Sequence, residues 1–400
     1  MVDFHLALGL IERLSHLSSR LSLSSEDSEE RKEALQLSKQ ITAALEKPKD
    51  VAVALMFSPT IPATIRAGVY LDLYRYIVEH GAPISSAELA VLSGGEELLI
   101  IRILRVASSI GVVTEVDERQ WEANPVTRSM IEEGVAAGHR MIGEIVMGAA
   151  QKMPRFLQES GFRCPTDPRH GPLQHAFQTK LSAFAFLATA PGALSDFNRF
   201  MGNTMGARRY WVNWFPVPQR VLDGAGAAQA GAPLPLVVDV AGGHGHDLLA
   251  FHQKYPGRAR LVLQDTSSVL NSVRHPSPFI EHVAYNFFEP QPLKGARVYF
   301  YHHILHDWPD GKCAKILAQA KAAMKPGYSK LLLHEMIVPE RGASTFHAMI
   351  DITMLVFNSG IERTERQWRK LLAAAGFEVL KVWLPPEEDA DGIVEAVLKE

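Results

Sequence analysis

"LVVDVAGGHGHDLL", residues 236–249, decides how the chain is read. An unbroken apolar run carries one acid, Asp239, then meets glycines at 242, 243 and 245 before a second apolar stretch. A run without polar alternation suits a strand buried on both faces. Glycines after it let the backbone turn tightly and approach a ligand where a Cβ would clash. The segment reads as strand, ligand-facing turn and helix, the opening unit of a doubly wound sheet.

Downstream the alternation continues. "RLVLQD", "EHVAYNFF", "ARVYFYHHIL" and "SKLLLHEMIV" read as strands two to five. "DGKCAKILAQAKAAMKPG", "FHAMIDITMLVFNSG" and "TERQWRKLLAAAGF" read as helices. "FEVLKVWLP" and "GIVEAVLK" close the chain with no helix between them, so they should pair as an antiparallel hairpin. The expected fold is α/β, a Rossmann-like seven-stranded sheet over residues 231–400.

Upstream, "DGAGAAQAGAPLP" (223–235) is a Gly/Ala/Pro-rich linker. Residues 136–230 are helical and rich in aromatics and methionine, which suits a core or the lining of an apolar pocket. Within residues 63–135, "ATIRAGVYLDLYRYIVEHG", "ISSAELAVLSGG" and "EELLIIRILRVASSIG" read as three helices, and "VVTEVDERQWEANP" as a hairpin. Three helices and a hairpin make a winged helix. Its third helix offers only Arg102 and Arg105 to nucleic acid, where a groove reader needs polar side chains for base edges and phosphates. Residues 1–22 and 33–47 read as amphipathic helices, and the mixed-charge run 24–33 as a solvated helix start. The expected division is 1–135, 136–230 and 231–400.

Composition narrows the class. The 400 residues, 47% hydrophobic and 21% charged, suit a soluble protein of two or more domains. A net charge of −3 with no basic stripe argues against a nucleic-acid partner. No run of 18 apolar residues suggests a membrane span, and the start lacks the basic region and cleavage site of a secretory signal. Two cysteines, Cys164 and Cys313, fit a reducing, cytoplasmic setting.

Ligands in such sheets bind at the carboxyl ends of the strands. Strand two closes at Asp265, 26 residues after Asp239, where an acid can accept both hydroxyls of a ribose. Strand three closes at Asn286-Phe287, an amide to read an adenine edge and a ring to stack on it. Together these specify an adenosine compound. Strand four closes in "YHHILHDWPD" (301–310). His302 and His303, as strand neighbours, should point to opposite faces; with no cysteine in support, no metal site is expected. His303 reads as a satisfied, partly buried ring. His306 stands at the cleft mouth with the pKa range of a base. Glu335, closing strand five, and Glu362, in "GIERTE", could steady its ring, a general-base arrangement.

The turn D-x-A-G-G-x-G, without a phosphate lysine, resembles motif I of the class I S-adenosylmethionine-dependent methyltransferases. "DVAGGHGHDL", "LHDWPDGKCAKIL", "HEMIVPE" and "IERTERQWRKLLAAAGF" resemble the plant caffeic-acid-type and fungal secondary-metabolite O-methyltransferases. "DFNRFMGNTM" and "FPVPQRVLDGA" are similar to the fungal branch, and the likeness spans about residues 60–400. It implies a homodimer through the N-terminal helical domain and S-adenosylmethionine as cofactor, with S-adenosylhomocysteine as product. Asp239, Gly242, Gly243 and Gly245 would hold the amino-acid end, Asp265 the ribose, and Asn286, Phe287 and Trp308 the adenine. His302 occupies a cofactor-side position that is usually Lys or Arg. His306 would be the base, bracketed by Glu335 and Glu362. Met201, Trp214, Asp307, Met354 and Asn358 would face a flat aromatic or polyketide-type substrate.

Three positions depart from the family pattern: Ala241 for the first glycine, Asn286 for an acid, and His302. The expected reaction is methylation of a phenol or enol hydroxyl. The alternative is a pericyclase, since some fungal relatives bind the cofactor without transferring its methyl. In those the histidine gives way to a cationic residue, whereas His306, Glu335 and Glu362 are all present here.

Overall fold

The computed structural model describes residues 2–21, 28–202, 209–225, 234–257, 260–387 and 389–399. It divides into two compact units, Met1–Glu132 and Glu133–Glu400.

The second unit is built on a seven-stranded sheet. Its strands are β1 (Val237–Val240), β2 (Leu261–Asp265), β3 (Ile280–Ala284), β4 (Val298–His302), β5 (Lys330–Glu335), β6 (Phe377–Trp383) and β7 (Gly392–Leu398). Their order is β6-β7-β5-β4-β1-β2-β3, with only β7 antiparallel to its neighbours. The order reverses between β4 and β1, and the crevice at their carboxyl ends is where such sheets take ligands.

Strand periodicity sorts the core. Val238, Val240, Tyr299, Tyr301, Leu331 and Leu333 pack with Ile316, Leu317, Trp368 and Leu372 from helices Asp310–Ala323 and Glu365–Ala375. The alternate residues Val237, Leu261, Leu263, Val298, Phe300 and Leu332 pack with Trp211, Phe215 and Phe251 on the other face. Burial on both sides explains why β1 is uniformly apolar except at Asp239. The closing hairpin forms as expected: β6 and β7 pair antiparallel, with an irregularity between Val379 and Lys381.

Several boundaries differ from expectation. β3 stops at Ala284, two residues short of Asn286, because Asn286 folds into a turn closed by Glu289 N–H to its carbonyl at 2.9 Å. β4 stops at His302, because His303 takes a left-handed φ of 53°. β5 stops at Glu335, and Ile337–Val338 leave the sheet to pair in parallel with Arg363–Thr364. Residues 136–202 and 209–222 are largely helical, with π turns at Ile142–Val146 and Pro218–Leu222. Residues 203–208, and 226–233 of the linker, lie outside the described residues.

In the first unit, helices Phe4–Leu21 and Glu29–Leu45 meet through Leu10, Leu17 and Leu37. Ser28 caps the second, and residues 24–27 of the charged run lie outside the described residues. The single helix expected to end at Gly81 is two, Thr60–Tyr70 and Leu73–His80. They break at Asp72, whose φ of 52° no helix accommodates. The Tyr74 ring fills the space that a side chain at Gly68 would need. Ser85 begins helix Ser86–Ser93 with a capping box and Gly94 ends it. Helix Glu97–Ser109 leads to the antiparallel strands Thr114–Asp117 and Gln120–Glu122, and Ile84–Ser85 joins them as a third strand. No single helix among the described residues is long and apolar enough to cross a membrane.

Candidate active site

The glycine turn leaves β1 at Ala241, whose φ of 61° is left-handed. Gly243 and Gly245 follow at 58° and 79°. At Gly242 a Cβ would overlap the Asp239 carboxylate, so this glycine is required by close approach. Asp239 is fully buried and both its oxygens lack a hydrogen-bond partner. Burial, with Asp247 nearby, pushes its carboxyl well above the usual range. An orphaned acid beneath a glycine-rich turn fits a polar, cationic ligand end such as the amino group of S-adenosylmethionine. Asp265 accepts from Gly243 N–H at 2.9 Å and Thr266 N–H at 2.7 Å, which sets its carboxylate at the rim of the turn.

Phe287 and Trp308 stand edge to face, with centroids 6.0 Å apart. Phe288, which the sequence reading omitted, packs on the same Trp308 ring at 5.0 Å. Asn286 Oδ1 accepts from Phe288 N–H at 3.1 Å, so that amide shapes the turn.

His306 is buried, and its Nδ1 lies 2.6 Å from Glu362 Oε1. Its Nε2 lies 3.8 Å from Asp307 Oδ1. Burial alone would lower this imidazole's pKa, but Glu362, Glu335 and Asp307 outweigh it and push the value well above the ordinary one. Burial in turn lifts Asp307 to about 6. Glu335 does not grip the ring as expected. Its Oε1 accepts from the backbone N–H of Ile304 at 3.2 Å and Leu305 at 2.8 Å, because the chain turns across the end of β5 immediately after β4. It pins the turn that carries His306 and acts on the ring through charge.

The expectation that His302 and His303 face opposite ways fails, because His303 has left the strand. The rings form a continuous run. Trp214 to His334 is 6.1 Å, His334 to His302 is 4.0 Å, His302 to His303 is 4.5 Å and His303 to His306 is 5.1 Å. His303 is satisfied by Asp391 at 3.1 Å. His302 Nδ1 meets Asp247 Oδ2 at 2.7 Å. Against the cost of burial, Asp247 raises His302 to about 9, whereas burial and the neighbouring His302 take His334 down to about 3.

Among the residues assigned to substrate, Asn358 is buried and donates through Nδ2 to the Asp307 carbonyl at 2.9 Å. It positions the Asp307 backbone, and its Oδ1 is buried without a partner. Met354, half-buried one turn earlier on helix Thr345–Asn358, has its carbonyl bonded to Gly360 N–H. Met201 follows helix Ala193–Phe200, whose Phe197 stacks on Phe357 at 6.3 Å. Trp214 stands with His334 rather than with His306.

Arg363 escaped the sequence reading. It is buried, and its guanidinium donates to the carbonyls of Leu305 at 3.0 Å and Trp308 at 2.9 Å, and to Asp310. It brackets His306 from both sides. Gly360 also went unread: a Cβ there would overlap the His306 carbonyl, and Ile361 N–H donates to that same oxygen at 2.8 Å. The adjacency of Arg363 to Glu362 was the only available signal.

Residues 226–378 match the O-methyltransferase domain family. O-methyltransferase penC of Penicillium thymicola is 49% identical over 389 residues, 97% of this chain and 96% of its own. LepI, solved in complex with SAM, matches with a TM-score of 0.86 at 26% identity over 98% of this chain and 100% of that one. A solved pericyclic reaction enzyme matches with a TM-score of 0.86 at 26% identity over 99% of this chain and 100% of that one. With its mostly parallel seven-stranded sheet and the glycine turn at the switch point, the chain belongs to the S-adenosylmethionine-dependent O-methyltransferases.

Proposed function

We propose that the protein methylates a phenol or enol hydroxyl of an aromatic or polyketide-type small molecule, with His306 as general base. The observation that carries this reading is the buried contact of 2.6 Å between His306 Nδ1 and Glu362. Bound S-adenosylmethionine supplies a methyl group already activated on a sulfonium. Asp239 and Gly242, Gly243 and Gly245 would hold its amino-acid end, Asp265 its ribose, and Phe287, Trp308 and Asn286 its adenine. Glu362 keeps the proton of the neutral ring on Nδ1 and so leaves Nε2 free to accept one from the substrate. A phenol has a pKa of about 10, so its oxygen is a weak nucleophile until that proton leaves. The acids around His306 strengthen it as a base by stabilising the imidazolium that forms. A positioned base of this kind contributes roughly 10²–10⁴ in rate. Met201, Trp214, Asp307, Met354 and Asn358 are assigned to the acceptor side.

We assign residues 1–135 to a winged-helix dimerisation domain, 136–230 to the pocket region and 231–400 to the cofactor domain. Helix Pro48–Phe57 has no buried residue and exposes Leu55, Met56 and Phe57, an apolar face suited to a second copy of the chain. A cytoplasmic setting fits this reading.

His306→Ala is expected to cut methyl transfer by about 10²–10⁴, measured as S-adenosylhomocysteine formed, with cofactor affinity by calorimetry near that of the parent. Lost cofactor affinity with transfer intact on saturation would refute the base role. A second reading, a pericyclase, gains from the acids that push the His306 pKa upward: a ring that is protonated more readily can serve as a fixed cation toward a substrate. Incubation with methyl-labelled cofactor and extracts of the producing cell separates the two. Label in product supports transfer; a rearranged product with the cofactor unconsumed supports the pericyclase.

A further inference from the structure

Asp247, His302 and His334 converge from three elements on one face of the sheet. His302 and His334 are direct partners in the parallel register of β4 and β5. Asp247 lies in the first turn of helix His246–Lys254, directly after the glycine turn, and reaches His302 at 2.7 Å. One ligand atom from each of the three residues lies within 4.8 Å of the other two. Asp247 Oδ1, His302 Nε2 and His334 Nδ1 are buried without a hydrogen-bond partner. Buried polar atoms are costly to leave unmatched, so three in one place call for a ligand.

We propose that Asp247, His302 and His334 hold a divalent transition-metal ion that ties the carboxyl ends of β4 and β5 to the helix after the glycine turn. Two imidazoles and one carboxylate suit zinc, cobalt or nickel better than magnesium or calcium, which prefer all-oxygen shells. Metal–donor bonds of about 2.0–2.2 Å require the three groups to draw in modestly, within the reach of side-chain rotation. Three protein ligands leave a fourth tetrahedral position for water or another small donor. The fully buried Asp239, the register partner of Phe300 on β4, lies on the same face of the sheet. The His303–Asp391 pair supports the His302 ring from its other side, 4.5 Å between imidazole centroids. His306 is not a ligand, and the proposal does not depend on whether methyl is transferred.

The test uses the full chain, stripped with chelator and titrated with cobalt(II). The expected result is one equivalent bound, with the visible absorption of tetrahedral cobalt and a rise in melting temperature that chelator reverses. His334→Gln should abolish both signals, and Asp247→Asn should weaken binding at least tenfold. His347→Gln, which lies outside the cluster, should leave uptake unchanged. Circular dichroism checks that each variant folds, and if His334→Gln does not, Asp247→Asn decides alone. No uptake, purely octahedral cobalt, or uptake unchanged in the folded variants would overturn the site.

Discussion

At the residue scale, His306 is an imidazole whose chemistry is set by carboxylates from two other segments. Its folded pKa is raised, and a base works only when neutral. Hence kcat/KM should rise with pH through that raised value, above the ordinary imidazole value of about 6.5. Glu362→Gln removes the largest of the charges that raise it, so the rise should move to lower pH and the maximal rate should fall. An unmoved profile with a uniform loss would mean that Glu362 only packs. Ala241 is a second residue-scale case. A left-handed alanine costs about 1–2 kcal/mol, and glycine returns about 0.5–1 kcal/mol to the unfolded chain. Ala241→Gly should therefore stabilise the protein by about 0.5–1 kcal/mol, read as a higher urea midpoint. The sequence exposed both residues, the one by its motif and the other by departing from it. It left Glu335 among the ring's holders, because which atom a carboxylate reaches is a matter of a few ångströms between segments far apart in the chain.

At the element scale, the segment from Ile304 to Trp308 has little regular structure of its own and is held from outside. Glu335 takes two of its amides, Arg363 two of its carbonyls, and Asn358 and Ile361 donate to two more. Arg363→Lys keeps the charge but loses the planar fork that reaches Leu305 and Trp308 together. Unmatched buried carbonyls cost about 1–3 kcal/mol. The variant should melt lower and lose kcat more than cofactor affinity, by steady-state kinetics beside calorimetry. Element types were readable from apolar periodicity, and the structure ends two of the helices at the left-handed glycines Gly94 and Gly376. Strand ends were not. β3 and β4 stop where a turn or a left-handed residue intervenes, although β-prone side chains continue beyond.

At the scale of the whole molecule, the proposed dimer rests on the exposed helix Pro48–Phe57. Leu55 and Phe57 are 66% and 65% exposed on a helix that buries nothing. Sedimentation should give a dimer, and the double change Leu55→Glu with Phe57→Glu should give a folded monomer with unchanged helicity. A monomeric parent protein would remove the dimer from the reading, and detergent-dependent behaviour would point to a lipid surface instead.

The alternation of strands and helices, the antiparallel closing hairpin and the glycine turn were legible along the chain. Those follow from local periodicity and from which backbones tolerate a side chain, and both are written along the chain. The pairing of His302 with His334 across two strands, the closure of Asp247 on them and the fastening of the His306 turn by Arg363 emerge from three-dimensional packing. Register and inter-element reach come from packing the two faces of the sheet, which no stretch of sequence specifies alone.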